Sequence, residues 1–157
     1  MTRRFNIIIL VTIIGLSAFK TPDLDYVLTI KKGTIKKQGE QTYWVIPTTL
    51  TNKSKDTLRY FSMSCSWQDF YSVDSRKLNI EPSLCEKNIP TILTIAPGQS
   101  SMVHIRLIVS QTMDTKEIKF KIGFNLIAAH KGQNPFDYDD KEGQKNKNII
   151  WSNLISM

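Results

Sequence analysis

Apolar and polar residues alternate along most of the chain from Asp25 onward. That period of two places successive side chains on opposite faces of half-buried strands. The stretch YVLTIKK, residues 26–32, predicts a first strand, and YWVIPTTLTN, residues 43–52, a second with Trp44, Ile46, Thr48 and Leu50 on one face. Pro47 has no amide hydrogen to give to a ladder, so its amide position is expected at a sheet edge or a bulge. Beyond the polar turn NKSKD, TLRYFSMSCSW predicts a strand with Phe61, Met63, Cys65 and Trp67 on one face, and a shorter strand follows at FYSVD. SRKLNIEPSLCEKNIP has no clean period and reads as a long connection containing Cys85. TILTIAPGQS is a strand ending at a Pro-Gly turn, and SMVHIRLIVS answers it with Val103, Ile105, Leu107 and Val109 inward. The clearest strand is EIKFKIGFNLIAA, where Ile118, Phe120, Ile122, Phe124 and Leu126 face one way and Lys119 and Lys121 the other. The polar residues 130–148 are expected to form a mobile loop, after which NIIWSNLISM closes the chain as a last strand.

No stretch beyond the first residues sustains a helical period for three turns. Seven to eight short strands separated by turn signals predict an all-β fold, an antiparallel immunoglobulin-like β-sandwich. A small barrel is the competing way to close such strands.

The first nineteen residues depart from this pattern. MTRRFNIIILVTIIGLSAF carries two arginines, an apolar run over residues 5–14, and the small residues Gly15, Ser17 and Ala18. This is the order of a secretory signal peptide, cleaved after Ser17 or Ala18. The run is shorter than the roughly 20 residues a spanning helix needs, so no stable membrane insertion is expected after cleavage. No cysteine follows the run to take a lipid. The expected organisation is a leader over residues 1–18 and a single β-sandwich domain over 19–157, in a secreted or periplasmic protein. A chain of that size buries about two thirds of its unfolded surface, enough for a core without metal.

The net charge is +7, and it falls by two when Arg3 and Arg4 leave with the leader. The lysines are scattered, as in TIKKGTIKKQGEQ, and no nucleic-acid-binding signature accompanies them. No nucleic acid partner is expected.

Cys65 and Cys85 are the only cysteines. In an oxidising compartment a pair normally closes, and a bridge spanning about 20 residues is worth roughly 3 kcal/mol. The alternative, a nucleophilic thiol, needs a neighbouring base. The two histidines do not supply one from the sequence: His104 falls on the polar face of its strand with Met102 and Arg106, and His130 opens the polar loop. No nucleophile elbow, zinc-ligand pair or phosphate-cradling glycine loop occurs. Neither catalysis, a cofactor nor a metal is therefore expected. DYDDKEG, residues 137–143, crowds four acids but breaks the EF-hand spacing at Lys141 and Glu142, leaving an irregular calcium site or a solvated loop as its readings. Trp67, Phe70 and Tyr71 gather where a strand ends and are possible ligand-binding aromatics for a glycan or a protein, or a lid on the core.

The run NKSKDTLRYFSMSCSWQDFYSVD, residues 52–74, followed by Pro97 and Gly98, resembles the pattern of bacterial sandwich domains related to the intracellular proteinase inhibitor family. There an asparagine turn leads to a strand, an Asp-Phe pair, a second strand and a Pro-Gly turn. The resemblance covers about half the mature chain and implies the sandwich fold more than any activity. The chain departs from the family in its leader, its two cysteines, and the lack of an Asp-Gly turn and tryptophan after Asp74. DTL, residues 56–58, resembles the short acceptor for O-linked glycans on exported bacterial proteins. Together these readings lead to a secreted, non-enzymatic binding module of the bacterial envelope. A proteinase inhibitor presenting an extended loop and a carbohydrate-binding module are the alternatives.

Overall fold

The computed structural model describes residues 25–109, 118–139 and 148–156. The leader and residues 140–147 of the acidic loop lie outside them. The spine of the fold is β3 (Gln41–Asn52), where Trp44, Ile46, Thr48, Leu50 and Asn52 are buried in strict alternation. One side of β3 carries β8 (Ser100–Val109) in antiparallel register along its length. The other side is shared by β1 (Tyr26–Ile30), which pairs with residues 48–52, and β2 (Thr34–Gln38), which pairs with residues 41–45.

Pro47 is thus in a central strand rather than at an edge. Its carbonyl accepts from the Lys31 N–H at 3.1 Å, so its missing donor faces the crossing from β1 to β2, where no ladder needs one. Gly33 occupies that crossing: a Cβ there would lie 2.4 Å from the Val45 carbonyl oxygen and 2.7 Å from Trp44 Nε1. The alternation did not predict β2, because all its residues are exposed and it has no apolar face to signal. It forms as a hairpin arm, with Gly39 at φ +60° reversing the chain onto β3.

The first layer is completed by β6 (Asn79–Ile80), giving the order β1-β3-β8-β6. The second contains β11 (Ile149–Trp151), β10 (Ile122–Asn125) and β5 (Tyr71–Val73), in the order β11-β10-β5. Lettered A to G in chain order, the strands β1, β3, β5, β6, β8, β10 and β11 run A-B-E-D in one layer and G-F-C in the other. This is the arrangement of a constant-type immunoglobulin sandwich. Shorter pairs extend it: β4 (Leu58–Met63) with β7 (Pro90–Ile95), and β9 (Lys119–Phe120) with β12 (Ile155–Ser156). Residues 127–129 tie β4 to the end of β10, since Phe61 N–H donates to Ile127 and Ala129 N–H to Arg59, both at 2.9 Å.

Ile118, Phe120, Ile122, Phe124 and Leu126 all face the core, as the alternation predicts. Their strand is nevertheless split at Lys121, whose N–H donates to the Asp74 carboxylate at 2.7 Å. The last strand is split as well. The Ile122 N–H donates to Ser152 Oγ at 3.0 Å, while Asn153 accepts from the Ile30 N–H at 2.8 Å and donates to the Ile30 carbonyl at 3.1 Å. One amide side chain thereby replaces a rung and joins the end of β1 to the end of the chain.

A second polar anchor is Asn52, fully buried at 0 % exposure. Its Nδ2 donates to the carbonyls of Asp56 and Ile95, both at 2.8 Å, and its Oδ1 accepts from the Ser54 N–H and hydroxyl at 3.0 and 2.7 Å. Every hydrogen-bonding valence of the side chain is used. The residue fixes the 52–58 turn to the end of β7.

The expected face of Phe61, Met63, Cys65 and Trp67 is not continuous. β4 ends at Met63, the chain bends at Ser64 and Cys65, and Trp67 lies in a 3-10 turn, Trp67–Phe70. Within β4, Leu58 and Tyr60 are buried, and the Tyr60 ring meets Phe124 edge-on at 5.6 Å between ring centres. Phe61 points the opposite way and is buried against Tyr138 at 5.6 Å. Residues 134–138 of the expected mobile loop therefore cover an aromatic surface. The short turn Pro135–Asp137 in that segment is capped by Asn134 and Asp137.

Candidate functional site

The chemistry flagged by the sequence converges on one end of the second layer. Cys65 and Cys85 form a disulfide with their Cα atoms 6.1 Å apart, and both are half-buried. The bridge sits beyond the end of β4, not on a strand face, and its far end holds the connection from β6 to β7. That connection must cross from the first layer to the second, because β6 pairs with β8 and β7 with β4.

Polar contacts fix both ends of the crossing. On the first layer, the Glu81 N–H donates to the Arg106 carbonyl at 2.8 Å, and its carboxylate pairs with Arg106 Nε at 2.8 Å. Arg106 is itself held, its guanidinium 4.0 Å above the Tyr43 ring and donating to Gln38 Oε1 at 2.9 Å. Burial, then the Glu81 carboxylate, push the Tyr43 hydroxyl above its usual pKa against the opposing pull of Arg106. On the second layer, Asn88 Oδ1 accepts from the N–H groups of Cys65 and Ser66 at 3.3 and 3.2 Å, and Ser64 N–H donates to Ile89 at 2.9 Å. These contacts also explain why β4 stops: Asn88 takes the amides that a longer strand would have paired.

Between these anchors, residues 81–85 run without turn or bend. Among the described residues, none of 82–87 makes a backbone–backbone hydrogen bond. Ser83 Oγ accepts from Gln68 Nε2 at 3.3 Å. Next to it Leu84 is 95 % exposed. Sequence reading passed over Leu84, since a connection without period gives no face; its one signal is adjacency to Cys85.

The aromatic residues have other work. Phe70 is buried with its ring 5.8 Å from Tyr138. Tyr71 packs on Phe124 at 4.8 Å and receives the edge of Trp67 at 6.0 Å. Burial, with Tyr60 second, drives the Tyr71 hydroxyl far above its usual pKa, as expected of a phenol kept neutral inside an aromatic stack. The three rings close the end of the sandwich. An open groove of about 360 Å³ runs beside them between β5 and β6, past Tyr71, Asp74, Arg76 and Ile80, but the Asp74 carboxylate there is committed to Lys121 N–H.

His104 and His130 are both exposed, and neither is near the disulfide in sequence or hydrogen bonding; the His130 N–H donates to Gln133 Oε1 at 2.9 Å. In the acidic loop, Asp137 caps the Asn134 N–H at 3.2 Å, while Asp140, Lys141 and Glu142 lie outside the described residues. Thr57 is exposed before β4. No helix among the described residues is long and apolar enough to cross a membrane.

No protein-family model matches the chain, and no curated protein matches it in sequence.

Proposed function

We propose that the chain is an exported, non-enzymatic binding module of the bacterial envelope, working in the periplasm or outside the cell, and that its ligand is a protein. The observation that carries this reading is Leu84, a fully exposed apolar side chain on a connection anchored at both ends and cross-linked in the middle. Exposed leucines are common singly, but one fixed on an otherwise polar, tethered loop is a pre-shaped contact. The leader-like start and the disulfide support export.

A glycan ligand is less well supported. Sugar binding needs free ring faces, and Phe70 is buried while Trp67 and Tyr71 pack on each other and Tyr71 also on Phe124. The test is to immobilise the oxidised mature chain and measure saturable binding to envelope proteins beside a glycan array. Binding to a protein with a silent array is the expected result. Array binding abolished by Trp67→Ala would turn the reading to carbohydrate.

A further inference from the structure

We infer that the free side of β7 pairs with β7 of a second copy of this chain, antiparallel about a two-fold axis at Leu93, so that two second layers join into one sheet. This goes beyond the binding-module reading and does not rest on Leu84. The strand β4 has both sides occupied. On one side the Phe61 N–H donates to Ile127 and the Arg59 carbonyl accepts from Ala129, both at 2.9 Å. Backbone groups alternate in direction along an antiparallel strand, so Leu58, Tyr60 and Ser62 turn theirs to β7, opposite Ile95, Leu93 and Thr91. The backbone groups of Pro90, Ile92 and Thr94 therefore point away from β4. Among the described residues they meet no backbone partner there. Thr94 is exposed, and Leu93 is 44 % exposed.

An open edge is a template for another strand, and natural sheets guard theirs with charge, above all with lysine. The exposed arm β2 carries Lys36 and Lys37, whereas β7, with the sequence PTILTI, carries no charge. The edge is also complementary to itself in one register. Setting Ile92 opposite Thr94 of the second copy, and Thr94 opposite its Ile92, uses every outward N–H and C=O of both residues. Pro90 then stands opposite Ala96. It has no N–H to offer, and the Ala96 carbonyl needs none, because it already accepts from the Gln99 N–H at 3.0 Å. An unrelated strand would leave a carbonyl without a donor at Pro90; a second copy does not. The two Leu93 side chains meet on the axis as a non-hydrogen-bonded pair, the closer kind, and cover each other. Two six-residue strands give a contact at the small end of specific interfaces, so the pairing is reversible.

Sedimentation equilibrium of the oxidised mature chain from about 10 μM to about 1 mM tests this. A dimer fraction rising across that range is the expected result. Thr94→Pro removes an N–H that β4 does not use, and Leu93→Lys sets like charges face to face on the axis. Each should weaken association at least about 10-fold, with an unchanged melting temperature showing that the variant has folded. The register is read separately by cross-linking. Under mild oxidation Leu93→Cys should link two chains through the introduced sulfurs, with the Cys65–Cys85 bridge intact by peptide mapping, and Thr94→Cys should link them far less. A chain still monomeric at about 1 mM would overturn the inference. So would a dimer that Thr94→Pro and Leu93→Lys both leave intact, or equal cross-linking at the two positions. None of these outcomes touches the wider reading, which stands or falls on binding to envelope proteins.

Discussion

Replacing both cysteines by serine removes a link of sequence separation 20 and leaves the rest of the chain in place. The chain-entropy account assigns such a loop about 3 kcal/mol, acting on the unfolded state. The native state should lose little more, since both cysteines are half-buried and serine is close in size. What moves is set by the remaining anchors. Asn88 still holds residues 65–66, Ile89 still accepts from Ser64, and Glu81 still pairs with Arg106, so loosening should be confined to residues 82–87. That is narrower than the whole connection that sequence position alone implicates. The assay is thermal and urea unfolding of the oxidised chain beside the double-serine variant, with hydrogen exchange to locate the change. A fall of about 10 °C in Tm is expected for a domain of this length. The reasoning fails if the loss is under about 1 kcal/mol, or if β5 and β7 lose protection as much as the loop does.

Four further outcomes are expected. Asn52→Ala should cost about 3 kcal/mol in urea unfolding, because it strands the Ile95 carbonyl in a buried position and frees the 52–58 turn. Gly33→Ala should destabilise by about 2 kcal/mol, since the Val45 carbonyl it would meet is backbone and cannot swing aside. The fold raises the Tyr71 pKa above its ordinary 10.0, first by burial and then through Tyr60, so it favours the neutral phenol. That contribution is complete below pH 10.0 and is lost as pH rises through the folded value. Phenolate absorbance should accordingly show Tyr71 ionising only as the protein unfolds in alkali. Leu84→Asp should leave stability within about 0.5 kcal/mol of the parent by the same unfolding measurement, as befits a surface change.

Strands with one buried face were legible because burial writes a period of two into the residues. β3, β8 and the run from Ile118 to Leu126 are read directly from that period. Segments without a buried face left no trace, which is why β2 is invisible despite a full ladder to β3. Breaks made by side chains standing in for backbone were equally hidden: Asp74 at Lys121, Asn153 at Ile30 and Asn88 at Cys65 are polar residues that read as loop chemistry. The phase of β4 could not be settled from alternation, since Tyr60 and Phe61 are both buried, one under each side of the sheet. The disulfide was legible from the leader-like start, which implies an oxidising compartment, and from the count of two cysteines. The exposed leucine beside it was not, because only the packing of the rest shows that it has been left out.

The sandwich presents residues 82–87 as a loop that is exposed and yet fixed. Backbone 15N relaxation of the oxidised chain tests this most directly, because exposure alone predicts motion and anchoring predicts its absence. Order parameters of about 0.85 at residues 83–87, falling below about 0.6 after reduction of the disulfide, are the expected result. Values near about 0.6 or lower in the oxidised chain would contradict the claim, for the loop would then be an untethered strand of surface with no shape to offer a partner.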